Sequence, residues 1–304
     1  MGSEMCIRDS HDAPQQLSFC SALLASSGLH IAKAFDGHID SFDLVQGTEH
    51  VRVHLLPFIR PTDVRMALPD MAASIASHDD AVRAALTCDE LDSDACNILV
   101  AHQFVTAVGC QPETCDSEVV SVGGTDNVDV SAFDSYDYVA LGHLHGAQHV
   151  GRPQVRYSGS PLKYSFSEVR HEKGATIITI EDGKVEVGTR PLMPLHDMRE
   201  IRASFAELSS GIDEGDHLDY MRITLTDKSL PDAMAKLRVL YPNILRLDWE
   251  QLSLPHSTAP GRIAGMEKAS PLELFASFYE QQTGMELTSD ERAAVRSCIE
   301  EASS

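Results

Sequence analysis

The chain has 304 residues, enough for a sizeable core and a second, smaller unit. Hydrophobic residues make up 43% and charged ones 23%, and no apolar run approaches the about 18 residues of a membrane span, which argues against membrane, collagen and coiled-coil classes. Lys and Arg number 24 against 46 Asp and Glu, a formal charge of −22 that disfavours non-specific clinging to nucleic acid or acidic lipid.

The opening MGSEMCIRDS has no basic stretch followed by an apolar one, so no secretory signal is expected. Seven cysteines without a C-x-x-C pair read as reduced thiols of a cytoplasmic protein, Cys110 and Cys115 included. Over residues 12–28, Leu17, Cys20, Leu23 and Leu24 recur at helical spacing, with Asp12 able to cap, Pro14 in the first turn and Gly28 at the end. Val51, Val53 and Leu55 alternate with polar neighbours as a half-buried strand closed by Pro57. A longer helix is expected over residues 69–86. Residues 97–101 (NILVA) and 136–141 (YDYVAL) are short apolar runs that suit buried strands, and each runs directly into histidine.

Residues 176–180 and 184–187 alternate around Asp182-Gly183, a dipeptide that tolerates the positive φ of a tight hairpin turn. A first, β-rich domain is expected to close near Pro194. Beyond it, residues 220–225, 231–240 and 244–249 read as strand, helix and strand, a βαβ-like unit. Residues 251–269 have the Pro, Gly and Ser of a linker. In the tail, Leu272, Leu274, Phe275, Phe278 and Tyr279 form an apolar stripe, and Thr288 with Glu291 makes a capping box that opens a last helix. The stripe is expected to dock on this chain or on a partner.

His102 follows NILVA, and His143 and His145 follow YDYVAL in the sequence Gly-His-Leu-His-Gly. Ligands of α/β sheets collect beyond the carboxyl ends of strands. The H-x-H spacing puts both rings on one side of extended backbone, and imidazole suits divalent first-row metals. Three such imidazoles suggest a metal site. The bland alternative is chance, since the chain has 14 histidines, and lone ones such as His30, His54 or His149 are more often surface or satisfied core residues.

The stretches VAHQFV, DNVDVSAFDSYDYVALGHLHG and YSGSPLKYSF closely resemble the SbcD components of the SbcCD nucleases, which are calcineurin-like metallophosphoesterases. The resemblance continues through PLHDMREI, DYMRITLTD, LYPNILRLDW and PLELFASFYE, covering nearly everything after Ser10. It implies an α/β fold: a metallophosphoesterase β-sandwich flanked by helices, a small α+β capping domain and C-terminal helices. The implied boundaries are 1–10 for a junction unlike the family, 11–195 for the nuclease domain, 196–250 for the capping domain, 251–269 for a linker and 270–304 for the helices. By this resemblance His102 and His143 would bind one divalent ion and His145 a second, with Mn²⁺ the expected metal. His11 would be the catalytic histidine of a Gly-Asn-His-Asp motif, with Asp12 its structural neighbour.

The implied function is that of an ATP-regulated DNA exonuclease and endonuclease acting on DNA ends and hairpins in recombination, replication and repair, cytoplasmic and nucleoid-associated. The implied partner is the ATPase SbcC, in a heterotetramer with two SbcD chains and no membrane contact, with Leu272, Phe275, Phe278 and Tyr279 facing the ATPase. In the basic segment after the histidines, Arg152, Arg156 and Lys163 could position phosphates, or could belong to an ordinary solvated surface.

The sequence departs from the family at its start. Family members carry Asp-x-His and Gly-Asp motifs in a βαβ segment before Gly-Asn-His-Asp; here MGSEMCIRD precedes Ser10-His11-Asp12, and Ser10 stands where the family has Asn. Two cations without those carboxylates repel each other, so this chain alone is expected to bind metal weakly and to be inactive. Alternatives are a non-catalytic adaptor for the ATPase and a phosphodiesterase for small molecules.

Overall fold

The structure is a computed structural model that describes residues 21–109, 111–118, 126–250, 270–283 and 285–302. His11, Asp12, Cys110, the first ten residues and the linker 251–269 lie outside the described residues. The chain divides into two units, Met1–Leu195 and His196–Ser304. Among the described residues no helix is long and apolar enough to cross a membrane.

In the first unit the alternating residues around Val53 become β2 (Glu49–Leu56), which pairs antiparallel with β1 (Asp40–Gln46) and parallel with β3 (Cys96–His102). Two short strands, β4 (Phe104–Thr106) and β5 (Asn127–Asp129), form a separate parallel pair. In the main sheet, β6 (Tyr138–Gly142) lies next to β3 and β8 (Arg152–Tyr157) next to β6, both parallel, and β7 (Gln148–Val150) closes the edge antiparallel. The sheet order is β1-β2-β3-β6-β8-β7, so four parallel strands end at one edge, the usual place for a site.

Alternation sends Leu99 and Ala101 of β3 to one face, where they meet Ala81, Val82 and Ala85 of a helix. Burying Val82 fully contributes about 2 kcal/mol. Ile98 and Val100 point to the opposite face, against Ile178 and Ile180 of β9 (Gly174–Glu181) and Val185 and Val187 of β10 (Lys184–Pro191). An apolar cavity of about 460 Å³ lies between these layers, lined by Phe42, Val53, Ile98, Tyr138 and Ile178 among others. The β9–β10 turn has Asp182 and Gly183 at φ 50° and 67°, the two positive values that a two-residue hairpin loop requires.

The long helix expected over residues 69–86 is broken. Pro69–Ser74 forms a 3-10 turn, and the α-helix begins only at His78, running to Leu86. Ser77 is extended and its Oγ accepts from the Asp80 amide at 3.1 Å, while Asp80 Oδ2 accepts from the Ser77 amide at 2.9 Å. That reciprocal cap starts a helix at this point, a signal the apolar spacing hides. Similarly, of the helix expected over residues 12–28 the described part is Ser21–Ala25, followed by a turn that closes at Gly28 with φ 81°.

In the second unit β11 (Met198–Ala203), β12 (Tyr220–Leu225) and β13 (Ile244–Trp249) form a parallel three-stranded sheet, with helix Ala233–Leu240 crossing from β12 to β13. Met221, Ile223, Leu225, Leu237 and Tyr241 make its core. Helices Pro271–Thr283 and Ser289–Ala302 follow; Thr288 and Glu291 make the expected capping box, with Thr288 N donating to Glu291 Oε2 at 2.9 Å. Phe275 and Phe278 remain 41% and 59% exposed, whereas Leu272 and Tyr279 are half-buried.

Arg199 ties this unit's sheet to its acidic loop, reaching Asp213 at 2.9 Å and Asp219 at 2.5 Å. The guanidinium holds the Asp213 carboxyl below the usual carboxylate range. Both acids are almost fully buried but Arg199 is a quarter exposed, so Arg199→Met is expected to destabilise the unit by about 2 kcal/mol, less than a fully buried pair would. The Asp213 contribution is present above the unfolded carboxylate value, about 3.9, and is lost as pH falls through the lower folded value. The gap between parent and variant should therefore narrow below about pH 4. Urea unfolding followed by fluorescence of Trp249, which packs on this core, reads both effects; an unchanged midpoint would discount the ion pair.

Candidate metal centre

β3 and β6 lie side by side with His102 opposite Gly142, so His102 and the next residue, His143, meet at the carboxyl edge of the sheet. Their ring centroids are 5.4 Å apart and nearly perpendicular. Phe58, following β2, stands edge-on to His102 at 6.3 Å, and Phe104 stands edge-on to His143 at 5.9 Å. Aromatic walls on both sides thus keep the imidazole pair partly from water, and His102 is only 6% exposed. Tyr157 pins the chain after His102: its Oη donates to Gln103 O at 2.8 Å and accepts from Val105 N at 2.7 Å. Burial pushes the Tyr157 phenol pKa upward, so that hydroxyl stays protonated.

His143 has φ 112°, a conformation that L side chains rarely adopt. Such strain costs about 1–3 kcal/mol and persists where the surroundings over-determine the backbone, typically at functional sites.

His145 lies in a different web. Its Nδ1 faces Ser117 Oγ at 2.9 Å and Glu168 Oε1 at 3.2 Å, and its amide donates to Glu118 Oε1. Its carbonyl accepts from Ser160 N at 3.1 Å and Lys173 Nζ at 2.9 Å. Gly159, at φ 76°, passes so close that a Cβ there would lie 2.8 Å from His145 O and 2.9 Å from Ala147 N. Glu168 is fully buried and pairs with Lys173 at 2.6 Å. Burial alone would raise its pKa, but the Lys173 ammonium, Ser117 and His145 outweigh that and hold it at about 2.

Among the described residues, two groups of three bring ligand atoms within 4.8 Å of one another: Cys115, His145 and Glu168, and in the second unit His196, Asp216 and Asp219. Both are already neutralised by a cation, Lys173 on Glu168 and Arg199 on Asp219, which opposes an ion at the same oxygens. Burial also pushes the Cys115 thiol up to about 11, so it is a protonated, ordinary thiol. Neither group includes His102 or His143, whose imidazole nitrogens suit a divalent first-row ion.

The cations expected to contact phosphate are not equivalent. Arg152 Nη2 donates to the carbonyls of Phe133 and Tyr136, so its guanidinium is used inside the unit. Arg156 is half-buried on β8, and Lys163 is half-buried in the loop after it. Lys173, which in sequence belongs to the same basic segment, is instead buried beside Glu168, because ion pairing lets both charges leave water. Ser117, Glu118, Glu168 and Lys173 escape sequence reasoning, since residues so far apart in the chain show no periodicity. His54, expected to be a surface or satisfied core residue, is the latter: its ring nitrogens face Asp89 Oδ1 at 2.8 Å and Asn97 Oδ1 at 3.1 Å.

Residues 194–283 match the family model SbcD_C, described as the type 5 capsule protein repressor C-terminal domain. The SbcD component of the SbcCD nuclease of Staphylococcus epidermidis (strain ATCC 12228 / FDA PCI 1200) is 29% identical over 288 residues, which span 93% of this chain and 74% of that protein. Both findings uphold the resemblance drawn from the sequence motifs.

Proposed function

Starting from a chain that is a relative of the SbcD components of SbcCD nucleases, we propose that its first unit is a metallophosphoesterase domain that hydrolyses DNA phosphodiesters in a complex with the ATPase SbcC. The observation that carries this reading is the meeting of His102 and His143 at the ends of adjacent parallel strands. Divalent ions, Mn²⁺ first among them, would polarise the phosphodiester and lower the pKa of the attacking water. His102 and His143 would hold one ion through imidazole nitrogens, beside the rings of Phe58 and Phe104. His145 would offer the ring nitrogen that Ser117 and Glu168 leave open. The roles of His11 as proton donor to the leaving oxygen and of Asp12 beside it rest on the resemblance alone.

On this reading residues 11–195 are the nuclease domain, 196–250 the capping domain, 251–269 a linker and 270–304 the helices that grip the ATPase. The exposed rings of Phe275 and Phe278 suit a helix-in-groove contact. Deleting residues 269–304 is expected to abolish co-purification with SbcC; undiminished recovery would end the gripping role.

A second reading, a non-catalytic adaptor, is favoured by the same ligand geometry. Neither group of three ligand-like residues includes His102 or His143, and imidazoles alone do not offset the repulsion of two cations. On either reading, two ions at these histidines need carboxylates beside them. The test is Mn²⁺-dependent cleavage of a labelled DNA hairpin with SbcC and ATP, beside a version carrying Asp-x-His and Gly-Asp motifs upstream. Cleavage by that version, lost with His143→Ala, supports the nuclease; its inactivity favours the adaptor. For DNA contact, Lys163 is the cation to replace, because Arg152 holds main chain; Lys163→Ala should lower the salt slope of binding by about one.

A further inference from the structure

We propose that Glu168 is the positioning residue of His145: it fixes the imidazole as the Nδ1–H tautomer and so presents Nε2 as the ring's free donor. The purpose of that presentation rests on the metal reading above; the fixing itself rests on geometry. An ionised carboxylate can only accept, so the 3.2 Å contact with Glu168 Oε1 places the proton on His145 Nδ1. Ser117 points the same way. Its Oγ donates to Glu168 Oε1 at 2.6 Å, which leaves a lone pair, and no proton, for the imidazole 2.9 Å away.

Glu168 is itself held from every side. All three protons of the Lys173 ammonium have acceptors, at 2.6 Å on Glu168 Oε2, 2.8 Å on Ser160 Oγ and 2.9 Å on His145 O. One cation thus grips both the carboxylate that orients the ring and the backbone of the residue that carries it. The Tyr164 amide adds a bond to Glu168 Oε1 at 3.3 Å. A histidine ligand whose second nitrogen donates to a carboxylate is oriented and made more basic, and loss of such a partner typically weakens metal affinity about 10–100-fold. Glu168 lies 23 residues from His145 in sequence, with no motif linking the two.

The test uses the full chain labelled with ¹⁵N-histidine, with His145 assigned by its absence in His145→Gln. Two-bond ¹H–¹⁵N spectra of the metal-free protein should show His145 protonated at Nδ1. In Glu168→Gln that preference should give way to a mixture of tautomers, because an amide can donate as well as accept. Zn²⁺ titration followed on the His145 Nε2 resonance should need about 10–100-fold more metal in the variant. Should Lys173, left unpaired, prevent folding, the double variant Glu168→Gln/Lys173→Met removes the buried charges together and is read in the same way. An Nε2–H tautomer in the parent chain, or tautomer and titration unchanged by the substitution, would overturn the proposal. An Nδ1–H tautomer with no Zn²⁺ response at Nε2 would instead overturn the metal reading, and with it the purpose assigned to Glu168.

Discussion

Gly159→Ala is expected to destabilise the first unit by at least about 3 kcal/mol and to displace His145. Two costs combine. At φ 76° any L side chain is strained, and the new Cβ would stand 2.8 Å from His145 O and 2.9 Å from Ala147 N, both backbone atoms that cannot turn aside as a flexible side chain would. Relief requires the segment after β8 to separate from the His145 turn, which would also break the bond from Ser160 N to His145 O. Chemical denaturation of parent and variant measures the loss. A difference within about 0.5 kcal/mol, the range of an ordinary surface substitution, would show that the close approach does not constrain the site.

His143→Gly is expected to be more stable than His143→Ala by about 1–2 kcal/mol, although both lack the imidazole. Both variants lose the ring's contacts with His102 and Phe104, but glycine adopts φ 112° without a Cβ penalty whereas alanine keeps the strain. In the hairpin-cleavage assay, made in the version that carries the upstream Asp-x-His and Gly-Asp motifs, both substitutions are expected to abolish cleavage. Stability and activity then part company: the substitution that relaxes the backbone still removes the ligand. Equal unfolding midpoints for the two variants would mean that residue 143 bears no strain, and cleavage retained by either would remove His143 from the metal site.

Where one short stretch of chain carries its own instruction, sequence and structure agree. Asp182-Gly183 specifies its hairpin because few residues tolerate two successive positive φ values, and Thr288 with Glu291 starts a helix through bonds spanning three residues. Residues 97–101 and 136–141 are legible as strands because both faces of their sheet are covered, which makes them continuously apolar. β1 and β11 are not legible in this way: their charged and exposed residues match no half-buried pattern, and it is pairing to β2 and β12 that makes them strands.

The candidate site divides along the same line. Sequence by itself placed His102, His143 and His145 after strand-forming runs, because a strand and the residue ending it are neighbours in the chain. Only the tertiary structure set the rings of His102 and His143 face to edge, since parallel register between β3 and β6 joins residues 41 apart. It also decided that Glu168 and Lys173 leave the surface and close on His145. Burying either charge alone would be costly, so their place depends on a partner that no local pattern announces.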